Sequence, residues 1–231
     1  MKRLSIIIPV LDEAETIAST LSALAPLRAR GAEVIVVDGG SRDATCALAA
    51  PLADRIIVAN RGRGAQMHAG AGLARGDILL FLHADTKLPE NADLLIRDGL
   101  ADGRAVWGRF DVTIAGRHPM FALVAAMMNF RSRMTGIATG DHAVFVTRAA
   151  YEKTGGFPDI ALMEDIALSK QLKLQSRPCC LSARVVTSAR RWETRGILRT
   201  ILLMWRLRLA YFLGATPTAL ALRYGYVPRE R

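Results

Sequence analysis

The first hundred residues alternate between short apolar runs rich in β-branched side chains and segments whose apolar residues recur at helical spacing. The runs are Ser5 to Val10, Glu33 to Val37, Arg55 to Val58 and Asp77 to Leu82. Between and after them lie Glu13 to Arg28, Asp43 to Ala50, Ala65 to Ala74 and Asn91 to Leu100. Strands that are apolar on both faces and separated by helices predict an α/β fold, with a mostly parallel central sheet and helices on both faces. Right-handed crossovers would gather the C-terminal ends of the strands on one rim, where such folds bind ligands. The second half is less regular. It predicts a strand over Ala105 to Ile114, an apolar helix or buried segment over Pro119 to Asn129, a strand over Ala143 to Thr147 and a helix over Leu162 to Leu174. No repeat or low-complexity linker divides the halves, so residues 1–231 read as one composite domain.

Polar residues collect where the strands end. The first run leads into Pro9-Val10-Leu11-Asp12-Glu13, the second into Asp38-Gly39-Gly40-Ser41-Arg42-Asp43 and the fourth into His83-Ala84-Asp85-Thr86. Carboxylates on one rim repel one another unless donors or a metal ion compensate. Such an Asp can bind a ribose hydroxyl or base N–H, or hold a hard divalent cation that bridges phosphates. For Asp12 and Asp43 the ordinary alternative is a helix N-cap. Gly62-Arg63-Gly64 followed by Asp85 has part of a dinucleotide fingerprint, but Met67 occupies the third glycine position and the motif falls on the third strand. Arg61 and Arg63 beside a helix start still suit an anion.

Charge is unevenly placed. The chain carries +10 overall. From Arg177 onward there are eleven Arg, no Lys and only Glu193 and Glu230. The tail, and not the nearly neutral body, is therefore the part suited to an anionic partner, with a solvated basic face as the plain alternative. If Arg191 to Leu213 formed one helix, Arg191, Arg195, Arg199 and Arg206 would lie within about 80° of one another, opposite Ile197, Ile201, Met204, Trp205 and Phe212. That is a basic amphipathic helix suited to an anionic membrane surface or a lipid-linked acceptor. Arg208 would sit within its apolar side and need a carboxylate or phosphate partner. The longest uncharged stretch, Leu209 to Leu222, is broken by Gly214 and Pro217 and is shorter than the roughly 20 apolar residues that span a bilayer. Three cysteines, two of them adjacent, make no disulfide framework and point to a reducing compartment. The expectation is a cytoplasmic protein, peripheral on the inner face of the membrane if the tail binds there.

Taken together, Ser5 to Glu13, Val36 to Asp43, Phe81 to Thr86, Gly155-Gly156-Phe157-Pro158 and Met163-Glu164-Asp165 resemble a family 2 glycosyltransferase with the GT-A fold. Arg61 to Gly70, His83-Ala84-Asp85, Gly140-Asp141-His142 and Arg190-Arg191-Trp192-Glu193 resemble, more narrowly, the radical-SAM/selenodomain-associated transferase 2 branch, some of whose members are linked to arsenosugar biosynthesis. The resemblance implies a nucleotide-binding half over 1–100, an acceptor half over 101–190 and a basic helix and tail over 191–231. It implies transfer with inversion of a sugar from a nucleotide-diphosphate donor, a UDP- or GDP-sugar, to a small-molecule or lipid-linked acceptor. Donor contacts would fall on Pro9, Leu11, Glu13, Asp38, Arg61, Gly64, Gln66, His83 and Asp85. Asp85, the last Asp of a D-x-D motif whose first position is His83 here, would ligate Mg²⁺ or Mn²⁺. Gly140, Asp141, Glu164, Arg191 and Trp192 would serve the acceptor or diphosphate, and Asp165 would be the general base. Ser188 replaces the Gln of a Q-x-x-R-W motif, which argues against processive synthesis.

The chemistry is consistent with that assignment, since inverting transfer needs a base for the acceptor hydroxyl and positive charge on the leaving group. A nucleotidyltransferase is the second enzyme reading, although Asp12-Glu13 is the wrong charge for its phosphate loop. A membrane or nucleic-acid binding module built on the tail is the non-enzyme reading. It leaves the acidic rim unexplained, and no nucleic-acid partner is expected.

Overall fold

The computed structural model describes residues 2–226. The chain begins β1 (Leu4–Val10), α1 (Ile17–Ala23), α2 (Ala25–Ala29), β2 (Glu33–Asp38), α3 (Thr45–Ala49), β3 (Arg55–Val58), α4 (Arg63–Leu73) and β4 (Ile78–Phe81). It continues through β5 (Thr86–Lys87), α5 (Ala92–Gly99), β6 (Trp107–Ile114), α6 (Pro119–Thr135), β7 (Phe145–Thr147), α7 (Arg148–Lys153) and α8 (Glu164–Lys173). It ends with β8 (Cys179–Thr187), α9 (Arg190–Arg195), α10 (Ile197–Phe212) and α11 (Pro217–Tyr224). The eight strands form one sheet in the order β3-β2-β1-β4-β7-β6-β8-β5. Strands β7 and β5 run against the other six, so the sheet is mostly parallel, as the apolar runs predict.

The strand pleat explains why helices are needed on both sides. Ile6, Ile8, Val34, Val36 and Leu80 point into one core layer, with Ile17 and Leu21 of α1 and Phe121 and Val124 of α6. Ile7, Ile35, Val37 and Leu79 point into the other, with Met67 and Ala71 of α4 and Leu168 and Leu172 of α8. Every residue of β1, β2 and β4 is buried, which only a sheet covered on both faces allows.

Three local readings change, and one strand goes unannounced by the sequence pattern. The helix expected over Glu13 to Arg28 is two short ones, with Pro26, which has no N–H to donate, in the first turn of the second. The segment expected from Pro119 is a helix six residues longer, capped by His118 Nδ1 accepting from the Met120 N–H and ended by left-handed Gly136. Strand β8 carries no apolar run because only its last residues are buried, at Val185 and Thr187. The helix expected over Arg191 to Leu213 breaks at Gly196, whose φ of 83° favours glycine. That break undoes the four-arginine stripe. Arg191 and Arg195 turn onto the ring of Tyr224, at 4.6 and 6.0 Å, while Arg199 and Arg206 remain exposed on α10. The expected apolar side also divides. Ile197, Ile201 and Met204 pack inward, but Trp205 and Phe212 are exposed. Among the described residues, no helix is long and apolar enough to cross a membrane.

Beneath the second half of the sheet lies an ion network that sequence pattern does not announce. Arg109 of β6 is fully buried and pairs with Asp111, which also binds Arg133 of α6 at 2.6 Å. Burial alone would raise the Asp111 carboxyl, but the two guanidiniums hold it below its ordinary value. Asp111→Ala would leave the Arg109 charge uncompensated in the interior and should cost roughly 3–5 kcal/mol of stability, read as a lower denaturant midpoint in guanidinium titrations.

Candidate active site

One cavity of about 610 Å³ lies at the C-terminal ends of the parallel strands and is closed over by the C-terminal helices. Its size suits a small ligand. Pro9 near the end of β1, Leu11 and Glu13 just after it, and His83 and Asp85 after β4 form one wall. Gly140 and Asp141, in a single 3₁₀ turn, and Glu164 and Asp165, in the first turn of α8, form the opposite wall. Arg190, Arg191, Trp192, Arg195, Met204, Arg208 and Tyr224 come from the last elements.

The two walls are held against each other by specific contacts. The His83 ring lies so close over Gly140 that a Cβ there would sit 2.2 Å from Nε2. His83 Nδ1 is 3.7 Å from Asp141 Oδ1. Burial would raise the Asp141 carboxyl, but His83, His142 and Arg63 together hold it well below the usual carboxylate range. The Gly140 N–H donates to Asp165 Oδ2 at 3.0 Å, and the Ile166 N–H donates to Oδ1 at 2.7 Å. Those two donors fix the Asp165 carboxylate, and each oxygen keeps further acceptor capacity. Met163, the residue before α8, has a φ of 72°, a left-handed conformation that costs energy for a side chain of its kind. Glu164 is buried beside Asp165, and burial first, then that neighbouring charge, pushes its carboxyl up to about 7. Two adjacent carboxylates thus differ in environment, one bonded and one desolvated.

The donor-side residues divide into those that face the cavity and those that build it. Glu13 accepts from Arg190 Nη2 at 3.0 Å, which ties β1's turn to α9 across the mouth. Gln66 lines the cavity, but its amide is used on the backbone: Nε2 donates to the carbonyls of Val10 and Val37, and Oε1 accepts from the Gly62 N–H. Asp38, Arg61 and Gly64 do not line the cavity. Asp38 accepts from the Gly40 and Ser41 N–H groups and from Ser41 Oγ, closing its own turn. Arg61 is exposed, 5.6 Å from the Tyr226 ring. Gly64 is buried where a Cβ would meet the Pro158 carbonyl oxygen at 2.8 Å, so its place is explained by packing of α4 against the loop before α8.

Sequence motifs did not single out Arg190, Arg195, Met204 or Tyr224 as site residues, because nothing in their local pattern says that α9, α10 and α11 fold back over the strand ends. The sequence predicts an anionic partner for Arg208, and its carboxylate neighbours are Asp165 and Asp141. Burial lowers the Arg208 and Arg191 guanidiniums from their ordinary values. The nearby Arg131 is lowered further, to about 10, by burial and by Arg208.

A cavity at the C-terminal rim of a mostly parallel sheet, lined by carboxylates and arginines, lies where α/β folds bind their ligands. The model of glycosyl transferase family 2 matches residues 5–154, and the chain belongs to that family. That membership sets aside the nucleotidyltransferase reading. A PGL/p-HBAD biosynthesis glycosyltransferase of Mycobacterium tuberculosis is 41% identical over 100 residues, 40% of this chain and 39% of that protein. An undecaprenyl-phosphate 4-deoxy-4-formamido-L-arabinose transferase of Pseudomonas fluorescens is 31% identical over 166 residues, 65% of this chain and 47% of that one. The chain thus spans less than half the length of these curated relatives. Among solved structures, the Pyrobaculum calidifontis mannosyltransferase in complex with GDP-Man and Mn²⁺ aligns with a TM-score of 0.67 and 23% identity, covering 98% of this chain and 66% of that one. The fold is that of the GT-A glycosyltransferases.

The raised Glu164 carboxyl has a consequence for stability. Ionising it costs more in the folded than in the unfolded chain, so the protein loses stability as pH rises from about 4.5 towards 7. Glu164→Gln removes that proton. The melting temperature of the variant relative to the parent should therefore rise between pH 4.5 and pH 7 and stay level above; an offset that does not change with pH would show that Glu164 titrates normally.

Proposed function

We propose that the protein transfers a sugar, with inversion, from a nucleotide-diphosphate donor to an acceptor hydroxyl or phosphate oxygen, with a divalent cation at the donor. The observation that carries this reading is that one cavity joins Glu13 and Asp85 at the strand ends to a fixed Asp165 carboxylate on the opposite wall. The donor would be a UDP- or GDP-sugar seated along Pro9, Leu11 and Glu13, with its diphosphate near Asp85, Arg190 and Arg191. The GDP-Man and Mn²⁺ in the similar mannosyltransferase complex support that choice.

The residues fit a divalent cation of limited protein ligation. Among the described residues no three His, Cys, Asp or Glu are grouped to hold a metal ion. Among them also, the Asp85 carboxylate receives one hydrogen bond, from Thr86 Oγ1 at a long 3.4 Å, and so keeps acceptor capacity. One carboxylate with substrate phosphates and water is an ordinary arrangement for Mg²⁺, and Mn²⁺ suits the same oxygens. When bound, such an ion supplies Lewis-acid stabilisation of the leaving diphosphate. His83 in place of a second Asp leaves Asp85 as the carboxylate of that motif, with His83 held instead by Asp141.

Asp165 takes the proton of the acceptor hydroxyl as its oxygen bonds to the anomeric carbon. The bond from that carbon to the donor diphosphate breaks, and the diphosphate leaves with the electron pair. Arg191, stacked on Tyr224, and Arg190 offset its charge. Where the acceptor is a phosphate its oxygen is already ionised, and Arg208 beside Asp165 supplies the matching charge. The undecaprenyl-phosphate transferase relative supports a lipid-linked acceptor of this kind; a small phosphorylated molecule fits the same arginine.

Calorimetric titration of UDP and GDP tests the donor half. One nucleotide should bind with Mn²⁺, lose most of its affinity in EDTA and lose it again in Asp85→Ala. For a hydroxyl acceptor, Asp165→Asn should lower kcat by about 10²–10⁴-fold while leaving nucleotide affinity within a factor of about two. Turnover in Asp165→Asn close to the parent's would remove Asp165 as the base.

A further inference from the structure

Helix α10 is apolar on the wrong side for a helix that only packs on its own protein. Its inner face is accounted for: Thr200 and Leu207 are buried, Ile197 and Ile201 pack on the core, and Met204 and Arg208 line the cavity. The outer face carries Leu198, Leu202, Trp205, Leu209 and Phe212 at helical spacing, each between 59% and 81% exposed. Helix α6 presents a second stripe of the same spacing, Leu123, Met127, Phe130 and Met134, between 49% and 71% exposed. Both helices pack against the same core layer. Ile197 and Ile201 pack on the cluster to which Phe121 and Val124 belong, and Arg208 lies close enough to Arg131 to disfavour the Arg131 charge. Together the two stripes leave nine large apolar side chains exposed on the side of the sheet where both helices pack.

Charge around this surface selects its occupant. Helices α6, α10 and α11 contain six arginines and no Asp or Glu. Arg199 and Arg206 are exposed at the border of the α10 stripe, and Arg133 is exposed on α6. A helix with an apolar outer face, tryptophan within it and arginines at its border lies in the plane of an anionic bilayer surface. We propose that the outer face of α10, assisted by that of α6, docks the protein on an anionic phospholipid membrane, with Trp205 and Phe130 inserted at the level of the headgroups. The face that inserts is the one turned away from the cavity-lining side of α10. This inference adds a location to the function proposed above and does not depend on its chemistry, because none of the inserting side chains lines the cavity.

Co-sedimentation of the purified protein with phosphatidylcholine vesicles, with and without phosphatidylglycerol, tests it in the absence of any donor. The protein should pellet with the anionic vesicles at low salt, and tryptophan emission should shift to the blue. The exposed double variant Leu202→Glu/Trp205→Glu should bind about tenfold less or weaker still, with its melting temperature and nucleotide binding unchanged. Absence of the parent from the anionic pellet would overturn the proposal. So would a concentration-dependent dimer in sedimentation velocity that the double variant abolishes, since the face would then be covered by a second copy. Either result leaves the donor titrations above to stand or fall separately.

Discussion

The site depends on opposite charge brought across one cavity. Glu13, Asp85, Asp141, Glu164 and Asp165 line it, and so do Arg63, Arg190, Arg191, Arg195 and Arg208. Five carboxylates at such spacing would repel one another or take up protons if left alone. Glu164, the most buried of them, does move towards protonation, whereas Asp141, with His83 beside it, remains an anion. The arginines come almost wholly from the last quarter of the chain. The basic tail that looks detachable in the sequence is therefore a wall of the cavity.

Much of the architecture could be read in advance because its cause is local. A run such as Ser5 to Val10 must be covered on both faces, and four such runs separated by helices leave few topologies. The turns that follow β1 and β4 were legible for the same reason: acidic residues at strand ends need a ligand or a donor. Asp165 could be named only through likeness to a family, since a carboxylate in a first helical turn also suits the helix dipole. Its two backbone donors, from Gly140 and Ile166, appear only in three dimensions.

What could not be read in advance rests on long-range packing. Gln66 looks like a polar residue available to a ligand, yet it joins the ends of β1 and β2 through two carbonyls. Asp38 is spent largely on its own turn, and Gly64 on a close approach to the loop before α8. The tail shows the limit most clearly. Treating Arg191 to Leu213 as one ideal cylinder misplaced both its basic and its apolar sides, because a single glycine at 196 re-aims the chain. With the break, the arginines before Gly196 serve the cavity and Arg199 and Arg206, after it, serve the surface.

The ion pair between Glu13 and Arg190 joins residues 177 positions apart. The strand-end residues after β1 and β4 are therefore synthesised well before the residues of α9 and α11 that close over them. A domain generally folds as a unit, and here its last contacts come late in the sequence. Until Arg190 and Tyr224 have been synthesised, the nascent protein would carry a half-built pocket whose carboxylates lack their partners. The full charge lining of the cavity is in this sense acquired only after all eight strands have been made.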